Sequence, residues 1–204
     1  MTFQILLPTT LQPFGHALVH SLFQSERDVF PKGITVLVQG EVLAFPSRVY
    51  CPPDRLQAVV DHAGGDARRL ALCFGTRHHD GHIREACLRQ LGVMDPPWVI
   101  PFFAQLLGEY VVEIAEVVAE ATSSADPAEL AAFVAGNPGF MATTRRRVLS
   151  YWDCYYRDRW STVTVYPAMA ALDAIERIAA SEAMSGSAKP RSGVLAQSSE
   201  TPSS

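Results

Sequence analysis

Imidazole and carboxylate groups crowd one short stretch of the chain, where His78, His79, Asp80 and His82 fall between positions 78 and 82. Both groups are ordinary ligands for zinc, manganese or iron, so this spacing suggests a divalent metal. A plainer reading uses the same residues differently. Asp80 caps the helix that follows, the histidines occupy a solvated turn, and no cofactor is held. His16 and His20 are four residues apart and would share a helical face. The metalloprotease pattern H-E-x-x-H needs Glu where Ala17 stands, so they read as a surface pair.

A second set of charges lies downstream. Glu109, Glu113, Glu116 and Glu120 recur at steps of three and four. A di-iron carboxylate site would need Glu-x-x-His on facing helices, and no His follows these glutamates at that spacing. The stripe reads as solvated or paired with arginine. Burying Glu109 or Glu113 would be costly without a cation. Arg84, Arg145, Arg146 and Arg147 are the expected partners, and at least one salt bridge between helices is predicted. With Tyr151 and Trp152, these residues form a candidate ionic network or binding surface.

Arg145, Arg146 and Arg147 also precede Tyr151, Trp152, Tyr155, Tyr156 and Trp160. Bases stack on aromatics and phosphates pair with arginine, so single-stranded nucleic acid could bind the segment 145–159. The aromatic spacing is helical, however, which points to packing. The net charge is −4 and the isoelectric point about 5.8. A nucleic-acid binder usually carries a basic balance, so nucleic acid is not the expected partner. No G-x-S-x-G, Walker or Gly-rich dinucleotide sequence occurs. The four cysteines include no C-x-x-C pair, and Cys73 and Cys87 read as small hydrophobes in a reducing compartment. Cys154, beside Arg157, reads as a buried thiol.

The elements that must position these groups are mostly helical. Thr9 or Thr10 is expected to cap a helix over 11–24. Two β-branched runs around Gln39-Gly40-Glu41 predict a hairpin at about 34–50. Asp54 and Asp66 are expected to cap helices ending near 62 and 77, and Asp80 a third, closed by Gly92. Apolar residues at steps of three and four predict one long amphipathic helix over about 98–121, central to the bundle. Gly108 is its interior weak point, a place for a kink or a close helix contact. Asp126-Pro127 and Asn137-Pro138 each read as a cap followed by a first helical residue, opening helices over 127–135 and 138–159. Pro167 starts a last helix to about 180. Residues 184–204 are rich in Ser, Gly and Pro and are expected to be disordered.

Met1–Leu7 lacks a basic n-region and Pro8 ends its apolar run, so no signal peptide is expected. Glutamates interrupt the apolar segment 98–118, which excludes a membrane span. A cytoplasmic protein follows.

Three resemblances add to this reading. Asp80-Gly81-His82-Ile83-Arg84-Glu85-Ala86-Cys87-Leu88-Arg89-Gln90-Leu91 is similar to the second helix of a HEAT-type repeat. The likeness implies an α–α hairpin over 66–92 in which the Asp caps, the Arg braces the turn and a small residue lets the helices approach. The doublet His79-Asp80 resembles that of HD-type metal-dependent phosphohydrolases. It implies a further upstream His, from His20 or His62, and a downstream Asp, from Asp153 or Asp173. The segments Arg77–Gly81, Pro97–Val99, Leu107–Ile114 and Arg147–Trp152 look like a group of bacterial proteins of unassigned function, which implies a bacterial origin and transfers no chemistry.

The expected fold is therefore mainly α: antiparallel helical hairpins in a HEAT-like bundle, with a small N-terminal β-hairpin and a disordered C-terminal tail. One domain covers 1–183, with the tail at 184–204. The leading functional expectation is a non-enzymatic scaffold that holds another protein, in an adaptor or immunity-like role. The alternatives are a phosphohydrolase using His79 and Asp80, and a nucleic-acid binder.

Overall fold

Proline sets many of the helix starts. Its missing N–H costs nothing in a first turn and its fixed φ suits the helix. Pro13, Pro53, Pro101, Pro127 and Pro138 all occupy such positions. The computed structural model describes residues 4–187. Its elements are α1 (Gln12–Leu22), β1 (Gly33–Val38), β2 (Glu41–Pro46), α2 (Pro53–His62), α3 (Gly65–Gly75), α4 (Gly81–Leu91), α5 (Ile100–Leu107), α6 (Val112–Thr122), α7 (Pro127–Gly136), α8 (Pro138–Tyr151) and α9 (Pro167–Ser187). The fold is mainly α, with one two-stranded antiparallel sheet near the N-terminus. None of the described helices is long and apolar enough to cross a membrane.

The hairpin turns on Gln39 and Gly40, both at positive φ, with Val38 opposite Glu41. Two residues in that conformation match the natural strand twist, and glycine makes it cheap. Val36, Val38, Leu43 and Phe45 face the core, while Leu37 and Val42 face outward. The strand pairing ends at Pro46, short of the expected 50. Val49 instead bridges Val29 and His78.

Asn137 is not the helix cap its sequence context suggests. Its side chain accepts from Leu37 N and donates to Leu37 O, both at 2.8 Å, and so clips β1 to the end of α7. Thr9 likewise bonds Glu41 rather than capping α1, and neither Asp54 nor Asp66 caps its helix. Asp80 and Asp126 do cap, accepting from His82 N and from Ala128 N and Glu129 N. Gly92 closes α4 at φ 70°.

α3 and α4 form the expected antiparallel hairpin. The small residue that lets them approach is Gly75, where a Cβ would collide with Cys87 Sγ.

The long helix expected over 98–121 is broken. α5 stops at Leu107, Gly108 leaves helical geometry, and Val111 is extended before α6 begins. Two short bonds, Gly108 N to Gln105 O and Glu109 N to Leu106 O, tighten the end of α5. The break carries Glu109 inward, and it admits Arg147, whose Cδ lies 3.2 Å from where a Gly108 Cβ would be. α5 is central, as expected, with every residue buried. Phe102 stacks on Phe45 at 4.2 Å and meets Phe74 edge-on.

α9 closes the bundle against α6 and α7 and also touches α5 and α8. It runs to Ser187, past the expected end at 180, so the expected tail begins no earlier than 188. Its remaining positions lie outside the described residues. α8 ends in a π-type turn over Trp152–Tyr156 rather than continuing to 159, and Trp152 Nε1 donates to Trp160 O. Cys154 is exposed there, not buried as expected, because this turn lies on the surface.

Candidate functional site

Glu109 is the centre of the polar interior. It is 4% exposed. Its Oε1 accepts from Arg48 Nη1 and Arg77 Nη2, each at 2.8 Å, and its Oε2 lies 2.8 Å from Arg84 Nε. That last contact is a charge pairing whose N–H points off the line, since neither atom completes a hydrogen bond. Four elements converge here: the strand exit after β2, the α3–α4 turn, the first turn of α4, and the α5–α6 break. Arg77 and Arg84 are each 1% exposed. Arg77 also donates to the Thr76 and Ser47 carbonyls, and Arg84 to those of His78 and His79. Arg84 thus braces the turn.

Burial alone would raise the Glu109 carboxyl. The charges of Arg77, Arg48 and Arg84 overcome it and hold the carboxyl below its ordinary range. Burial lowers Arg77 to about 10, helped by Arg48 and Arg84 and opposed by Glu109, so it stays charged at neutral pH. Three guanidiniums against one carboxylate leave two positive charges in excess.

A pocket of about 250 Å³ opens beside the cluster, lined by Ser47, Arg48, Gln105, Glu109, Arg147 and Tyr151, with Arg77 and Gly108 completing it. A wider groove of about 390 Å³ by Val19, His20 and Phe23 collects no comparable charge.

Of the expected arginines only Arg84 reaches the glutamate set, and its bridge to Glu109 runs from α4 to the α5–α6 break rather than from helix to helix. Arg145 pairs with Asp173 and Glu176 of α9, each at 2.6 Å. Arg146 bonds Thr143, while Arg147 lines the pocket. Glu113, Glu116 and Glu120 are exposed. Tyr151 is half-buried between two exposed rings, 6.2 Å from Tyr110 and 6.1 Å from Tyr155. Trp152 is half-buried.

The histidine cluster is divided. His78 is fully buried rather than in a solvated turn. Its Nε2 faces Cys51 O at 3.0 Å and its Nδ1 accepts from Asp80 N at 3.1 Å, so Nε2 carries the hydrogen. Burial, first of all, pushes this imidazole below 6.5. His79 is exposed and stacks on Tyr50, and His82 is exposed. Asp80 is spent on its cap. Asp173 pairs with Arg145, Asp153 with Arg157, and His62 bonds its own helix, so none of these joins His79. His16 and His20 are both exposed on α1. Among the described residues, no three His, Cys, Asp or Glu side chains converge in a way that could hold a metal.

No family model, curated protein or solved structure matches the chain.

Sequence reasoning missed Ser47, Arg48, Arg77 and Gln105. The available signal was Glu109 itself, a carboxylate inside an apolar run, which demands cations. Nothing local says which cations answer, because Arg48 and Arg77 stand 61 and 32 residues away.

Proposed function

We propose that this chain is a non-enzymatic, protein-binding helical scaffold of the bacterial cytoplasm, acting as an adaptor or immunity-like protein. The observation that carries the reading is the tyrosine row beside the cationic pocket. Tyr110 is 55% exposed and Tyr155 69%, with Tyr151 between them. Tyrosine and arginine are enriched among residues that dominate interface energies, because they present large contact area with polar handles. The likeness of 66–92 to a HEAT-type hairpin supports the scaffold part of the reading.

The phosphohydrolase reading has less support, since His78 and Asp80 are committed to the turn. So has the nucleic-acid reading. Arg145 and Arg157 are neutralised by carboxylates, and Arg159 lies over Trp160.

Quantitative affinity capture tests the proposal, using full-length wild type and the double variant Tyr110→Ala/Tyr155→Ala. The expected result is a stoichiometric partner held by wild type and lost by the variant. A partner retained equally by both would show that this face is not the one used. Stoichiometric transition metal in chelator-free preparations, lost in His79→Ala, would overturn the non-enzymatic reading.

A further inference from the structure

We infer that the pocket between Arg48, Gln105, Arg147 and Tyr151 is a binding site for a small oxyanion, a carboxylate or a phosphate group. The inference goes beyond the protein-binding reading, because a free anion suffices to fill the pocket.

Charge is the first argument. The buried cluster already carries more guanidinium than carboxylate, and Arg147 adds a further cation at the pocket. Glu109 is the one acidic side chain in the lining. Partly desolvated like charges attract an anion strongly, because little water screens them.

Unused donors are the second. Gln105 is only 4% exposed as a residue, and its amide, which lines the pocket and keeps contact with solvent there, makes no hydrogen bond to protein among the described residues. Arg77 Nε is buried and unpartnered. Arg48 commits a single nitrogen, to Glu109, and its side chain is 29% exposed. Neither the Arg147 guanidinium nor the Tyr151 hydroxyl has a hydrogen-bond partner among the described residues. Against these donors the side-chain acceptors are Gln105 Oε1, Glu109 and the Ser47 and Tyr151 hydroxyls, and the Glu109 charge is already met by three guanidiniums, so donors and positive charge prevail, which is the chemistry of an oxyanion site. Guanidinium forks match the paired oxygens of carboxylate and phosphate alike.

Size is the third. About 250 Å³ lies below the roughly 300–1,000 Å³ typical of pockets for whole organic ligands. It suits one anionic group with a few waters. Gly108 contributes by lacking a side chain, since the Arg147 stem lies across it.

The test is an NMR titration of the full-length protein with inorganic phosphate, with succinate, and with a short glutamate peptide against its glutamine analogue. The readouts are the Gln105 side-chain amide and the arginine Nε–H signals. Saturable shifts are expected with at least one anion. Arg147→Gln should weaken binding about tenfold, the effect of losing a charge-assisted hydrogen bond. Arg147 is exposed and unpaired, so this variant leaves the Glu109 cluster intact. Arg146→Gln, on the same helix, should bind as wild type does. Tighter binding of the glutamate peptide than of the free anions assigns the group to a protein partner, and the reverse order assigns it to a small molecule. Shifts that never saturate, or that are the same in Arg147→Gln, overturn the inference. The capture experiment above is decided separately, so either idea can fail alone.

Discussion

A single carboxylate is shared by three guanidiniums at Glu109, and this makes it the most consequential charged residue among those described. Glu109→Gln keeps the shape and removes the charge, leaving buried Arg77 and Arg84 uncompensated. We expect a loss of about 3–5 kcal/mol in urea unfolding, as for other broken buried pairs. A loss below about 0.5 kcal/mol, the range of ordinary surface changes, would mean that the cluster is not structural. Two buried groups also set the acid limb. The folded state holds the His78 imidazole below 6.5 and the Glu109 carboxyl below 4.5. In both cases the unfolded chain binds the proton more readily, so stability is complete above the unfolded value and falls as pH drops. The His78 contribution should fade first, beginning below pH 6.5, and the Glu109 contribution below 4.5. His78→Phe should abolish the first step. It should also cost about 1–3 kcal/mol for each of Cys51 O and Asp80 N left unpartnered. Urea midpoints between pH 7.5 and 4 check both points. An unchanged slope between 6.5 and 5 in His78→Phe would refute the assignment.

At the scale of elements, two glycines with the same sequence appearance do opposite work. Gly75 ends α3 against Cys87 and Leu56, where an added methyl has no room. Overpacking there costs about 1–3 kcal/mol, more than helix propensity returns. Gly139, near the start of α8, has nothing within 4 Å of its would-be Cβ. Gly75→Ala should therefore lower the thermal midpoint, and Gly139→Ala should leave it unchanged or raise it. Equal effects would refute the close approach of α3 and α4. The α5–α6 break follows the same logic. Periodicity carries one apolar pattern straight through Gly108, and the helix ends there because Glu109 gains three cations by turning inward.

Across the whole molecule, burial decides the behaviour of the thiols. Burial, in the main, raises Cys51 to about 11 and Cys87 to about 12, and Cys73 well above its ordinary range, whereas Cys154 is exposed. A thiol reagent at pH 7 should label one cysteine of the native protein rapidly and all four in denaturant. Rapid labelling of a second thiol before unfolding would contradict the packing of α3 on α4. The helical class, the hairpin at Gln39-Gly40, the Asp80 and Asp126 caps and the Gly92 stop were legible in the sequence. Each rests on interactions within a few residues, where spacing and turn chemistry decide the outcome. The sequence also pointed to Glu109 as a carboxylate in need of a cation, and to Arg84 as one partner. Tertiary structure alone decided that Arg48 and Arg77 join it, that Arg145 turns away to α9, that Asn137 clips a strand instead of capping a helix, and that Gln105 lines the pocket beside Glu109. Those outcomes depend on segments brought together from distant parts of the chain, and local spacing carries no information about which distant cation will arrive.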